Sequence, residues 1–185
     1  MSKVERNEIL DYQTYNDRRD DIRIEVMKVK EDRRIHVASY LTFLFENRET
    51  IRYQIQEMMR AEQIVKEADI LHEIETYNEV LGGPGELGCT LLVELDDPEA
   101  RAVKLVEWLD LPKHLYAKLA DGTKVRPTYD ERQVGEQRVS SVQYLKFAVG
   151  KTSPVSVGCD HADPDLRHET ELTEDQRGAL QKDLE

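Results

Sequence analysis

Apolar positions recur along this chain with two periods, and each change of period marks an expected element. Over residues 11–33, Tyr15, Ile22, Val26 and Val29 return at spacings of seven, four and three amid dense charge, which predicts an amphipathic, mostly exposed N-terminal helix. Over residues 35–45 the period drops to two: Ile35, Val37, Leu41, Phe43 and Phe45 share one side, as in a single strand. Asn47 then caps a helix running to Ile64, with Ile51, Ile55, Met58 and Met59 on one face. At roughly 100° per residue, Arg48 and Glu62 fall on that same face. Two opposite charges are therefore expected where the core should be, and burial of a charge is costly unless it is paired.

A second stripe, Ile70, Ile74, Tyr77 and Leu81, is rotated by about 90° from the first, so one straight helix cannot bury both. A break is expected near residues 65–67, followed by a helix that Gly82-Gly83-Pro84-Gly85 terminates. Residues 86–95 return to period two, with Leu87, Cys89, Leu91, Val93 and Leu95 facing one way. Asp97-Pro98 opens a helix carrying Val103, Val106, Trp108 and Leu109, which Leu111-Pro112 ends or bends. A short helix over 113–119 places His114 at the surface. Strands are expected over 124–128, 138–149 and 154–159, the first two joined by a long polar loop over 129–137. Thr173-x-x-Gln176 is a capping box for a last helix with Leu180 and Leu184. Short strands separated by helices, several joined by connections too short for parallel crossovers, predict an α+β fold. About five mainly antiparallel strands would cover one side of a helical layer, in a single domain over 1–185 with an acidic C-terminal segment over 160–185.

Composition narrows the partners. The chain carries 26 basic and 38 acidic side chains, a formal charge of -12, which opposes binding to nucleic acid or an anionic membrane surface. Half of that charge comes from the nine acidic and three basic residues of 160–185. No apolar run approaches the ~20 residues of a membrane span and the start lacks a signal-peptide core, so a cytoplasmic protein is expected. Two cysteines, Cys89 and Cys159, match neither a C-x-x-C pair nor a disulfide framework, and both fall with apolar neighbours, as small core residues do.

The motifs with the clearest mechanics, G-x-G-x-x-G, the P-loop, G-x-S-x-G and H-E-x-x-H, are absent, and no cofactor is expected. Three sets of residues carry candidate chemistry. Arg48, Gln54, Glu57, Arg60 and Glu62 form either a structural ion-pair and amide network or, through the guanidinium fork of Arg48, a pocket for a small anion. Asp160-His161 follows a strand end, where a rigid scaffold holds accessible side chains, although Asp160 can equally cap a turn beside an ordinary histidine. His72 and Glu75 have a metal-ligand spacing, but they lie opposite the apolar stripe of their helix, where a solvated polar face is the simpler reading.

The run from Leu41 through Phe45-Glu-Asn-Arg48 and Gln54-Ile-Gln-Glu-Met58 to Glu62, with His72-Glu-Ile-Glu-Thr-Tyr-Asn-Glu79, Gly85-Glu-Leu87 and Asp160-His161, resembles a bacterial family of uncharacterised proteins. The resemblance covers nearly the whole chain. Members of that family are often encoded beside rubrerythrin-like di-iron proteins and iron–sulfur oxidoreductase-like proteins. The resemblance thus implies a redox or peroxide-defence setting, with such a protein as partner. The leading expectation is a non-catalytic accessory protein. The alternative is a metal- or small-anion-binding domain, or an enzyme, built on the Arg48/Glu57/Arg60/Glu62 network or on His72, Glu75 and His161.

Overall fold

The computed structural model describes residues 2–131, 134–135 and 137–185. Helix α1 (Tyr12–Glu31) starts at Asp11, whose side chain accepts from the Thr14 amide. The strand expected over 35–45 is instead a hairpin of β1 (Arg34–Val37) and β2 (Leu41–Glu46), turned where Ala38 takes a φ of 53°. Its register sets Val37 opposite Leu41, so the two share a face. An unbroken strand would also put positions four apart on one face. Apolar parity is identical in the two cases and cannot report the turn.

Helix α2 (Arg48–Ala61) is capped by Asn47, which accepts from the Glu49 and Thr50 amides while Thr50 reaches back to the Asn47 amide. It ends at Glu62, and Gln63, with a φ of 55°, redirects the chain slightly ahead of the expected break. Helix α3 (Glu67–Asn78) stops before Leu81, yet Val80 and Leu81 stay buried in the turn that follows. That turn lies directly on strand β3 (Leu87–Val93), since a Cβ on Gly88 would come within 2.0 Å of the Val80 carbonyl oxygen.

Next come α4 (Pro98–Glu107), with Asp97 as its cap, and the single turn α5 (Leu111–His114). The helix expected over 113–119 is largely strand, β4 (Leu115–Lys118), because all four of its residues are paired with a later strand. Tertiary pairing overrides local propensity there. The chain continues through β5 (Lys124–Val125), β6 (Thr128–Tyr129), β7 (Val142–Phe147), β8 (Ser156–Cys159), β9 (His168–Glu171) and α6 (Glu174–Asp183). The expected loop over 129–137 includes Arg132, Gln133 and Glu136, which lie outside the described residues.

The fold is α+β, and every strand pairing is antiparallel. Besides the five-stranded sheet, ordered β1-β2-β3-β7-β6, a four-stranded sheet runs β5-β4-β8-β9. Its outer strand β9 reads His-Glu-Thr-Glu and carries no apolar alternation to announce it. Residues Arg126 and Pro127 join the sheets at one edge, and at the other the Thr170 hydroxyl donates to the His36 carbonyl at 2.8 Å. Both sheets feed one core: Phe43, Phe45, Leu91 and Phe147 meet Leu115, Ala117, Val157 and Trp108. A second apolar cluster, with Ile51, Ile55, Met59, Ile70 and Ile74, packs α2 against α3. Cys89 and Cys159 are buried in the first core. Among the described residues, no helix is long and apolar enough to cross a membrane.

Candidate functional site

The polar residues of α2 each grip a different neighbour. Arg48, half-exposed, donates to Glu8 at 2.6 Å and to the Lys3 carbonyl at 3.2 Å, tying down the N-terminal segment. Glu57 accepts two bonds from Arg19 at 2.8 Å and one from the Tyr15 hydroxyl at 2.6 Å. The Arg19 fork holds the Glu57 carboxyl below its usual range, while burial and that carboxylate push the Tyr15 phenol up. Arg60 donates to Asn16 at 2.9 Å, and Gln54 is bonded to Tyr77 of α3. Glu62 is exposed at the helix end. The expectation that Arg48 and Glu62 are both buried is therefore corrected. The helix ends at Glu62, so the face computed for a continuing helix does not exist there. These side chains do not converge on one pocket; they fasten α2 to the N-terminal segment, α1 and α3.

Asp160 and His161 do enter a constellation. Asp110, just before α5, sets one carboxylate oxygen 3.0 Å from His161 Nε2 and the other 3.1 Å from His114 Nε2. The two rings meet edge-on with centroids 4.9 Å apart. His114 Nδ1 lies 3.5 Å from Asp160, which also receives Arg126 at 2.7 and 3.0 Å and Lys124 at 3.3 Å. Hydrogen bonds from Arg126, with support from Lys124, outweigh burial and hold the Asp160 carboxyl down to about 2. Burial pushes the Asp110 carboxyl up, but the bonds from His114 and His161 prevail and leave it below its ordinary value.

The ligating atoms of Asp110, His114 and His161 lie within 4.8 Å of one another, close enough to consider a metal. The protonation pattern disfavours one. His161 is nine-tenths buried, and its Nδ1 accepts the backbone N–H of Asp163 at 3.0 Å. A neutral imidazole in that setting carries its proton on Nε2 and donates it to Asp110. A metal-held histidine normally does the reverse, giving its remote N–H to an acceptor. The cluster thus acts as a hydrogen-bonded latch that fastens the loop after β8 to α5, and Trp108 Nε1 strengthens it by donating to Asp163 at 2.8 Å. His72 and Glu75 are exposed on α3 and belong to no ligating group among the described residues. The Asp110-x-x-x-His114 spacing was the sequence signal for the partners of His161, since it puts both side chains on one side of a helical turn.

A cleft of about 770 Å³ lies elsewhere, between α3 and strands β6 and β7. Tyr77, Tyr129 and Tyr144 supply aromatic surface, and Met58 an apolar contribution. Glu73, Glu79 and Asp130 supply carboxylates, against the one lysine of the described lining, Lys146. Burial, and then the charge of Glu62, raise the Glu73 carboxyl. Burial beside Tyr77 pushes the Tyr144 phenol up to about 12. Both shifts favour the neutral form, and a bound cation would oppose the upward shift at Glu73. No local motif marks this cleft, because α3 and the β6–β7 pair that form its walls are far apart in the chain.

The profile of a family described as proteins of unknown function (DUF3501) matches residues 3–184. A crystal structure of a protein of unknown function from Burkholderia pseudomallei K96243 is similar over the whole of both chains, with 26% identity and a TM-score of 0.90. A comparison with curated proteins finds no relative of this chain.

Proposed function

We propose that this chain, which belongs to the DUF3501 family, is a non-catalytic accessory protein whose α3–β7 cleft receives a basic, partly apolar segment of a redox partner. The observation that carries this reading is the lining itself, three tyrosines and three carboxylates around one cleft. Tyrosine faces attract ammonium and guanidinium groups, and carboxylates pair with them. The net charge of -12 adds long-range steering toward a basic surface.

The partner class rests on the family resemblance, which points to a rubrerythrin-like or iron–sulfur protein working in redox or peroxide defence. The chain's own thiols favour an accessory part over thiol exchange. Burial pushes Cys89 well above its ordinary value and Cys159 up to about 11, so neither is a ready thiolate.

The test is a calorimetric titration of the protein with the purified rubrerythrin-like and iron–sulfur proteins of its own organism. One of them should bind with an affinity that falls as salt rises and drops at least tenfold in Tyr77→Ala and Glu73→Lys. Absence of binding to both, or binding that the cleft variants leave unchanged, overturns the proposal.

A further inference from the structure

A second cleft, of about 680 Å³, has the opposite charge. Arg23, Met27 and Lys30 line it from α1, spaced by four and three so that they share one helical stripe. Arg34 and His36 line it from β1, two residues apart and therefore on one face of the strand. Ile24 completes an apolar wall with Met27. Four of the lining side chains, Arg23, Lys28, Lys30 and Arg34, are cationic, against the single carboxylate of Glu31, in a chain that is strongly acidic overall.

Lys30 is the informative member. It is only 9% exposed, yet among the described residues no carboxylate lies within ion-pair distance of its ammonium group. Its neighbours are the Tyr53 ring, 5.1 Å away, and the more distant charge of Glu46, whose oxygens are already engaged by the hydroxyls of Thr50 and Thr90. The guanidinium groups of Arg34 and Arg23 repel it, and the weaker attraction of Glu57 comes from a carboxylate already bonded to Arg19 and Tyr15. A buried cation beside two further cations is costly unless an anion meets it. Lys28 is already bonded to Glu25 at 2.9 Å, and His36 is held through Nδ1 by the Thr42 hydroxyl at 2.8 Å. That leaves Lys30 and Arg34 facing the cleft, with Arg23 beside them donating one bond to the Tyr53 hydroxyl at 3.3 Å.

We infer that this cleft binds a small molecule bearing a phosphoryl group, with the phosphate at Lys30 and a short apolar body against Ile24 and Met27. A phosphate monoester carries about two negative charges at neutral pH, and its oxygens suit guanidinium forks as well as an ammonium group. A single carboxylate would leave most of the local positive charge unmatched. The site is separate from the acidic cleft between α3 and β7, so the two assignments stand or fall on different variants.

The test is an amide NMR titration of the full chain with phenyl phosphate, with inorganic phosphate and benzoate as separate arms. Phenyl phosphate should give saturable shifts confined to residues 23–36 and their neighbours, with a lower dissociation constant than either inorganic phosphate or benzoate. Arg34→Gln, a change at an exposed side chain, and Lys30→Met should each raise that constant at least tenfold. If Lys30→Met fails to fold, Arg34→Gln and Arg23→Gln carry the test. Shifts that do not saturate, or an affinity unchanged in the arginine variants, would show that Lys30 merely offsets the charge of Glu46, and the inference would fail.

Discussion

Arg33 and Asp183, 150 residues apart in sequence, form a two-bond ion pair at 2.7 and 2.9 Å with both side chains nearly excluded from water. Arg33 also caps the end of α1 by donating to the Val29 carbonyl at 2.8 Å, and Asn47 Nδ2 approaches Asp183 at 3.4 Å. The pair therefore locks the last helix onto the α1–β1 junction and the start of α2. Removing one partner strands the other in a low-dielectric setting. Arg33→Met or Asp183→Asn should each cost about 3 kcal/mol, comparable to other broken buried pairs. In a chain of this size that is a fall of roughly 6–12 °C in thermal midpoint by calorimetry.

Arg48→Met and Glu62→Gln should behave differently. The Arg48 pair with Glu8 is half-exposed and Glu62 is solvent-facing, so each change should move the midpoint by less than about 3 °C. A large loss in both would mean that the two charges are buried after all. Side-by-side melting curves of the two sets of variants decide this.

The Asp160 carboxyl, held down to about 2 by Arg126, sets a pH window. A group whose folded value is depressed stabilises the fold above its unfolded value, and that stability is lost as pH falls through the folded value. The contribution should fade from about pH 4 toward pH 2, and because the pair is partly solvated it should amount to no more than about 1 kcal/mol. A carboxyl NMR titration should place Asp160 near 2 in the wild type and higher, toward its ordinary 3.8, in Arg126→Gln, where Lys124 still bonds it.

The thiols should be silent in the folded protein. With Cys159 pushed up to about 11 and Cys89 fully buried, Ellman's reagent at pH 8 should label neither until denaturant is added, after which both should react. Rapid labelling of the native protein would show that the core around these residues opens readily.

Much of the fold was legible because it is local chemistry. Asn47, Asp97 and Thr173 were readable as caps, since a cap bonds amides two or three residues away. The parity of Leu87, Cys89, Leu91 and Val93 reported burial directly, because a strand sends alternate side chains to one face. Asp160-His161 was visible as a polar pair at a strand end. Its partners Asp110 and His114 were close at hand in the i, i+4 spacing, but only the pairing of β4 with β8 brings the two segments together.

The sequence by itself determined which residues are apolar, where helices begin, and that an acidic α+β domain results, because caps and periodicity act within a few residues. Tertiary structure alone decided the hairpin at Ala38, the strand character of 115–118, and the pairing of the polar β9 with β8. It also decided which charges are buried. Glu62 escapes because α2 ends there, whereas Lys30, Arg33 and Glu46 are enclosed by elements that fold over them. Burial is a property of what packs on a residue, and for these four side chains the covering elements lie far along the chain or are cut short by a turn that angular counting on one helix does not contain.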